Sequence, residues 1–304
     1  MKSLSFLAAF SGMYDALKGV LRVGAMLAPA KTSSRNAKCR VSTTTTHSLL
    51  SGLRAGILVC GLLCAATLNA QTWEIGTPNA ADVTATLIDG VMTIRGTERM
   101  MDWYSQGNNR PWYSVRASIT TVIIEDGVTS IGSNAFDGCT YLTSVTIPNS
   151  VTGIGAYAFI GCTRLTSVTI GNNVNTIGNS AFSGCTGLTS VTIPNSLTNI
   201  GLGVFSNNTS LTAINVASEN ANFRSVDGVL FNRDLTILIQ YPGGKQGEYI
   251  IPNSVIVYTF PAFEGCVGLT SITIPNTISF IADGLFSGCS SLKELIIEDG
   301  TNAL

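Results

Sequence analysis

Histidine is almost missing from this chain: His47 is the only one in 304 residues, and it lies in a polar N-terminal stretch. A body without histidine lacks the usual base of a Ser–His or Cys–His pair, and a zinc site there would need sulfur and oxygen alone. Charge is also scarce, at 12% Asp, Glu, Lys and Arg. It is unevenly divided. Residues 1–70 carry eight Lys/Arg against Asp15, a balance of +7, and residues 71–304 carry nine against seventeen acids, a balance of −8. An acidic body repels phosphate backbones, so nucleic acid is not an expected partner. Its carboxylates are scattered, and no nucleophile, base and orienting group stand together, so the chain is not expected to be an enzyme or to carry a cofactor or metal.

Long apolar runs are missing too, with one exception. Ile57 to Leu68 is apolar, Arg54 precedes it, and Leu68-Asn69-Ala70 offers a small-residue cleavage site. A run of about a dozen residues is short of the ~20 that a spanning helix needs, so 53–70 reads as a signal peptide, with an uncleaved anchor as the competing reading. Residues 1–52 are read as a leader of unclear status. Their segment 31–47 (KTSSRNAKCRVSTTTTH) lacks apolar periodicity and reads as disordered. The mature chain is therefore expected to be secreted or held at the cell surface, with no membrane span of its own.

What the chain has in abundance is repetition. LTSVTI occurs at 142–147, 165–170 and 188–193, and LTSITI at 269–274. Aligned strand ends fall at Ile124, Ile147, Ile170, Ile193, Val216, Ile251, Ile274 and Ile297, with every interval 23 except a 35-residue step to Ile251. A period in this range with an L-x-x-V/I-x-I core means one strand per turn of a solenoid. The fold expected is mainly β. Within each turn, Pro148 and its equivalents close the strand, a second extended piece buries Val151 and Ile154, Gly155 and its equivalents turn the chain, and A-F-x-G-C places Ala, Phe and Cys inside.

Phe136, Phe159, Phe182 and Phe205 keep the 23-residue step, as do Cys139, Cys162 and Cys185, and then Phe263/Phe286 and Cys266/Cys289. Stacked turns lie ~4.8 Å apart, so each set forms a ladder. The rings read as core. The cysteines read as buried thiols because stacked side chains point in parallel, and ligands spread one per turn cannot converge on zinc. Cysteine-to-serine replacement is expected to leave a hydroxyl without a partner. Asn208, in the Cys place, is expected to cap backbone groups where the stack changes register.

These residues resemble the BspA-type (Treponema pallidum-type) leucine-rich repeat family. Its turn reads L-x-x-L-x-L-P-x-x-L-x-x-I-x-x-x-A-F-x-x-C, which 165–185 and 188–205 follow, over a match from about Ile119 to Asp299. Residues 220–251 resemble a longer variant repeat of the family, with a hairpin about Arg233-Asp234. The resemblance implies an exported or surface-bound bacterial leucine-rich repeat protein, an adhesion or binding role, and no catalytic residues.

Residues 71–118 hold Trp73, Trp103 and Trp112, include a hairpin at 85–96 turning at Asp89-Gly90, and read as an N-terminal β-rich cap on an array spanning 119–304. The irregular unit occupies about 217–251, and the C-terminal end reads as uncapped. Two surfaces are candidates for recognition of an extracellular or cell-surface protein, or of a glycan. One is the outward strip Ser144, Thr146, Ser167, Thr169, Ser190 and Thr192. The other is an apolar patch of Ile256, Val257, Phe260 and Phe280, where outward positions that are small or polar elsewhere become large and apolar. The alternative is a structural spacer that associates end to end through its open edge.

Overall fold

The computed structural model describes residues 70–104 and 109–299, so the leader and nearly all of the signal segment lie outside the described residues. The described chain is a succession of short strands and tight turns. Its only helices, among the described residues, are two 3-10 segments at Ala80–Asp82 and Tyr113–Ser118. None is long and apolar enough to cross a membrane.

The LTSVTI strands at 142–147 and 165–170 stack in parallel and in register, and the hydrogen-bonded ladder is interrupted between Ser167–Thr169 and Ser190–Ile193. Ser144 pairs with Ser167 and Thr146 with Thr169, and the ladder runs back through Thr121–Ile124 to Val91–Gly96. There it changes direction. Val91–Gly96 pairs antiparallel with Val83–Ile88 around Asp89-Gly90, and Val83–Ile88 pairs antiparallel with Gln71–Glu74. Further along, Ser190–Ile193 pairs with Ala213–Val216, and Gly247–Ile250, Leu269–Ile274 and Glu294–Ile297 form a last parallel group. Alternation along the strand puts Leu142, Val145 and Ile147 inside and Ser144 and Thr146 outside.

The second extended piece builds a flank sheet of two-residue strands, Arg99–Met100, Ser130–Ile131, Gly153–Ile154, Thr176–Ile177 and Asn199–Ile200. The A-F turns make a third hydrogen-bonded side: the Phe136 amide donates to Ala158 O at 2.7 Å and the Phe159 amide to Ala181 O at 2.8 Å. The flank sheet and the A-F turns therefore stitch each of these turns to the next, which satisfies polar groups that a buried loop would orphan. Gly132, Gly155 and Gly178 do not serve a left-handed backbone. A Cβ on Gly155 would run into the Ser133 amide of the preceding turn, and one on Gly178 into the Ala156 amide. These glycines let adjacent turns approach.

The rings stack inside: Phe136–Phe159 and Phe159–Phe182 have centroids 5.2 Å apart, and Phe182–Phe205 5.9 Å. Trp112 continues the stack at 6.1 Å from Phe136, and Trp73 and Trp103 meet Trp112 edge-on at 5.7 and 5.2 Å. All three tryptophans are buried. Each buried ring contributes about 1.5–3 kcal/mol by area and about 0.5–1.5 more from ring contact. Arg110, itself 7% exposed, holds the first turn by donating to Asn134 O at 2.8 Å and to Asp137 Oδ2 at 2.9 Å.

The 35-residue unit inserts the strands Phe223–Val226, Val229–Asn232 and Ile237–Gln240. The Arg233-Asp234 hairpin is there, joined by a second turn at Asp227-Gly228. Val229–Asn232 is buried on both faces. Leu230 joins the apolar cluster of the earlier turns, whereas Val229 and Phe231 join a separate cluster built with Tyr241, Phe263 and Ile272.

Two expectations are corrected by the packing. Asn208 caps nothing: its side chain is buried, and neither Oδ1 nor Nδ2 meets a hydrogen-bond partner among the described residues. The cap where the stack changes is Asn220, whose Nδ2 donates to Pro194 O at 2.7 Å while its Oδ1 accepts from the Asn222 and Phe223 amides at 2.8 Å each. The thiols, in turn, do have partners. Cys162 Sγ donates to Phe136 O and Cys185 Sγ to Phe159 O, each at 3.2 Å, so a serine hydroxyl in the Cys162 place would inherit an acceptor.

Candidate functional site

The apolar patch starts from the strand Val257–Tyr258, which pairs in parallel with Ile237–Gln240 of the inserted unit. The inserted strands lie beside this segment and leave it open to solvent. Ile256 is 58% exposed, Val257 47%, Phe260 50% and Phe280 72%. With Ile278 and Ala282 they surround a groove of about 190 Å³. Beneath it, Val255 and Phe263 are fully buried, so the outward chains stand on packed core.

The facing wall, 278–282, forms no strand. It is held by Tyr258 instead. The phenol donates to Phe280 O at 3.0 Å and accepts from the Ala282 amide at 2.7 Å, which satisfies two backbone groups that a ladder would otherwise pair. Phe280 is thus offered to solvent by a polar anchor from the preceding turn. The sequence singles out four of these side chains but not Tyr258, whose role depends on a contact 22 residues away.

The other candidate strip is regular in sequence, but its strand ladder is interrupted between Ser167–Thr169 and Ser190–Ile193. Ser144, Thr146, Ser167, Thr169, Ser190 and Thr192 are all exposed. A shallow depression of about 360 Å³ runs between the rows of Ser167/Thr169 and Ser190/Thr192. The threonines that do bond locally are one position earlier: Thr143, Thr166 and Thr212 each donate their hydroxyl to a threonine carbonyl of the preceding turn. The strip is continued by Ile123 at one end and by Ala213 and Asn215 at the other.

The cysteine ladder is chemically quiet over most of its length. Burial pushes the Cys139 and Cys185 thiols up to about 12 and raises Cys162 as well, which removes the thiolate that would react or ligate. All five repeat cysteines are free thiols. Cys289 keeps the same kind of carbonyl partner, its Sγ donating to Phe263 O at 3.1 Å, but it is partly exposed, and the neighbouring Cys266 thiol lowers its pKa. Among the described residues no group of three His, Cys, Asp or Glu side chains is placed to hold a metal ion.

A coil with one such strand per 23 residues and a ring ladder inside is a leucine-rich repeat solenoid. The chain belongs to the BspA-type leucine-rich repeat family, whose model matches six copies over residues 110–233 and 245–304. Among solved structures, it is similar to a leucine-rich repeat protein of Eubacterium ventriosum, with 30% identity over 76% of this chain and 73% of that one and a TM-score of 0.57. The pneumococcal vaccine antigen PcpA shares the fold at 22% identity, 71% and 68% coverage and a TM-score of 0.55. The comparison with curated proteins finds no match.

Proposed function

We propose that this chain is an exported or cell-surface protein that binds a protein partner through the outer faces of its solenoid, with the groove of Ile256, Val257, Phe260 and Phe280 as the principal contact. One observation carries the reading. Two adjacent turns break the small or polar rule of their outward positions together, and their four large apolar side chains are exposed around one groove. Covering such a surface is favourable by about 25 cal/mol per Å² of apolar area removed from water. The Ser/Thr strip repeats from turn to turn, so it offers less information for selecting a partner. Export is supported by the basic leader and the apolar run 57–68, and adhesion by membership of the family.

The test is an array of extracellular-matrix and cell-surface proteins probed with the wild-type chain and with Val257→Ser/Phe280→Ser. Retention by wild type and loss in the folded double variant supports the reading. Equal binding by both removes the groove from it.

A second reading, self-association as a structural spacer, is favoured by the strand Glu294–Ile297. It pairs with Leu269–Ile274, and its Leu295, Ile296 and Ile297 are 45%, 41% and 58% exposed. Concentration-dependent growth in light scattering, abolished by Ile296→Lys, supports this reading; a monodisperse monomer disposes of it.

A further inference from the structure

A third concavity, of about 380 Å³, lies over the flank strands near Tyr104 and has a different chemistry from the groove. Its outward row is in register: Arg99 stands beside Ser130, Ser130 beside Gly153, and Gly153 beside Thr176. Three inter-strand steps of ~4.8 Å extend it over about 14 Å, a length suited to a short oligosaccharide.

The floor is opened by Gly153. That residue does not adopt a left-handed backbone, and neighbouring turns place serine, threonine and asparagine in the same row. A Cβ there would lie 3.1 Å from Thr176 Oγ1 and begin to fill the depression. The backbone does not require glycine at this position; the concavity does.

The wall is an aromatic ring held by polar anchors. Tyr104 is 79% exposed, yet its phenol donates to Asp102 Oδ2 at 2.7 Å, and Asp102 Oδ1 accepts the Ser133 amide at 2.6 Å. The charge-assisted bond to Asp102 fixes the orientation of the ring beside the concavity and offsets its loss of rotamer freedom. Asp102 keeps further acceptor capacity on both oxygens, and Arg99 is close enough to act electrostatically on it. A ring, a carboxylate and a guanidinium within one shallow polar site match the two faces of a pyranose. The ring takes the C–H face, and the acceptor and the donor fork take neighbouring hydroxyls.

We propose that this concavity is an oligosaccharide subsite, with Tyr104 as the stacking platform, Asp102 and Arg99 as the hydroxyl-binding pair, and Gly153 as the open floor. It is separate from the apolar groove and does not rest on the partner assigned to that groove.

The experiment uses the full chain on an array of defined oligosaccharides, followed by calorimetry of the best-retained sugar against three variants. Tyr104→Ala and Gly153→Val are expected to weaken binding at least about ten-fold. Val257→Ser/Phe280→Ser is expected to leave it within about two-fold. Thermal unfolding checks that each variant is folded, and the exposed Tyr104 gives a readout even if Gly153→Val fails to fold. Retention of no sugar, an affinity unchanged by Tyr104→Ala, or a loss confined to the groove variant overturns the proposal.

Discussion

The hydroxyl of Tyr258 donates to the carbonyl of Phe280 at 3.0 Å across the interval between two turns. This single bond, with the Ala282 amide returning to the same oxygen, replaces strand pairing in the segment that forms one wall of the groove. Tyr258→Phe removes both interactions and leaves the ring in place. It should destabilise the chain by about 1–3 kcal/mol. Hydrogen exchange at the Ala282 amide should accelerate, and that measurement separates local loosening from global unfolding.

The groove residues should be separable from the core beneath them. Val257→Ser/Phe280→Ser changes exposed side chains and should shift the unfolding free energy by less than about 1 kcal/mol. Val255→Ser, at a fully buried position two residues earlier, should cost about 2–4 kcal/mol. Denaturant titration of the pair checks the inward–outward register directly. If the exposed double variant unfolds, those side chains are core and the groove loses its standing as a contact.

Alkylation of the native chain should be selective. Among the five repeat cysteines, Cys289, partly exposed and with its pKa lowered, should react first, and the buried Cys139, Cys162 and Cys185 only after unfolding. Peptide mass spectrometry after a short pulse of iodoacetamide reads the order.

The same burial implies an alkaline limit. The folded-state pKa values of Cys139 and Cys185 are raised from 9.0 to about 12 by burial, so above about pH 9 the unfolded chain releases protons that the folded chain retains. The stabilisation from keeping these thiols neutral is complete below pH 9 and falls as pH rises towards 12. Denaturation midpoints measured through that interval should decline more steeply for wild type than for Cys139→Ala/Cys185→Ala.

Gly155→Ala should be far more harmful than the half-buried position implies, because the new Cβ meets backbone of the preceding turn rather than a side chain that can move. A loss of at least about 3 kcal/mol is expected. Calorimetric comparison with Gly153→Ala, two residues away, isolates the effect of turn-to-turn approach.

Much of this architecture was legible in the residues because a repeat announces its own register. LTSVTI, the Phe step and the exchange of Ser/Thr with Val/Ile along each strand imply which side chains stack, and the rings of Phe136 to Phe205 do so. What was not legible depends on contacts between different units. Tyr241 follows Phe205 by 36 residues, so no period connects it to the core in which it stacks 5.5 Å from Phe263. Asn220 reads as an ordinary loop residue until the carbonyls of Pro194 and Leu197 converge on it. The same reason hid Tyr258 beneath the groove and the Asp102–Ser133 contact in the polar concavity, 31 positions apart. The Cys place misled in the opposite sense, since polarity at Asn208 suggested a cap where no partner is within reach.

The strand Val229–Asn232, with Leu230 in one apolar cluster and Val229 and Phe231 in the other, marks the boundary between two blocks of apolar packing along the array. The groove belongs entirely to the second block. A partner gripping it would transmit load to that block first, and occupancy would reinforce that block alone by mass action.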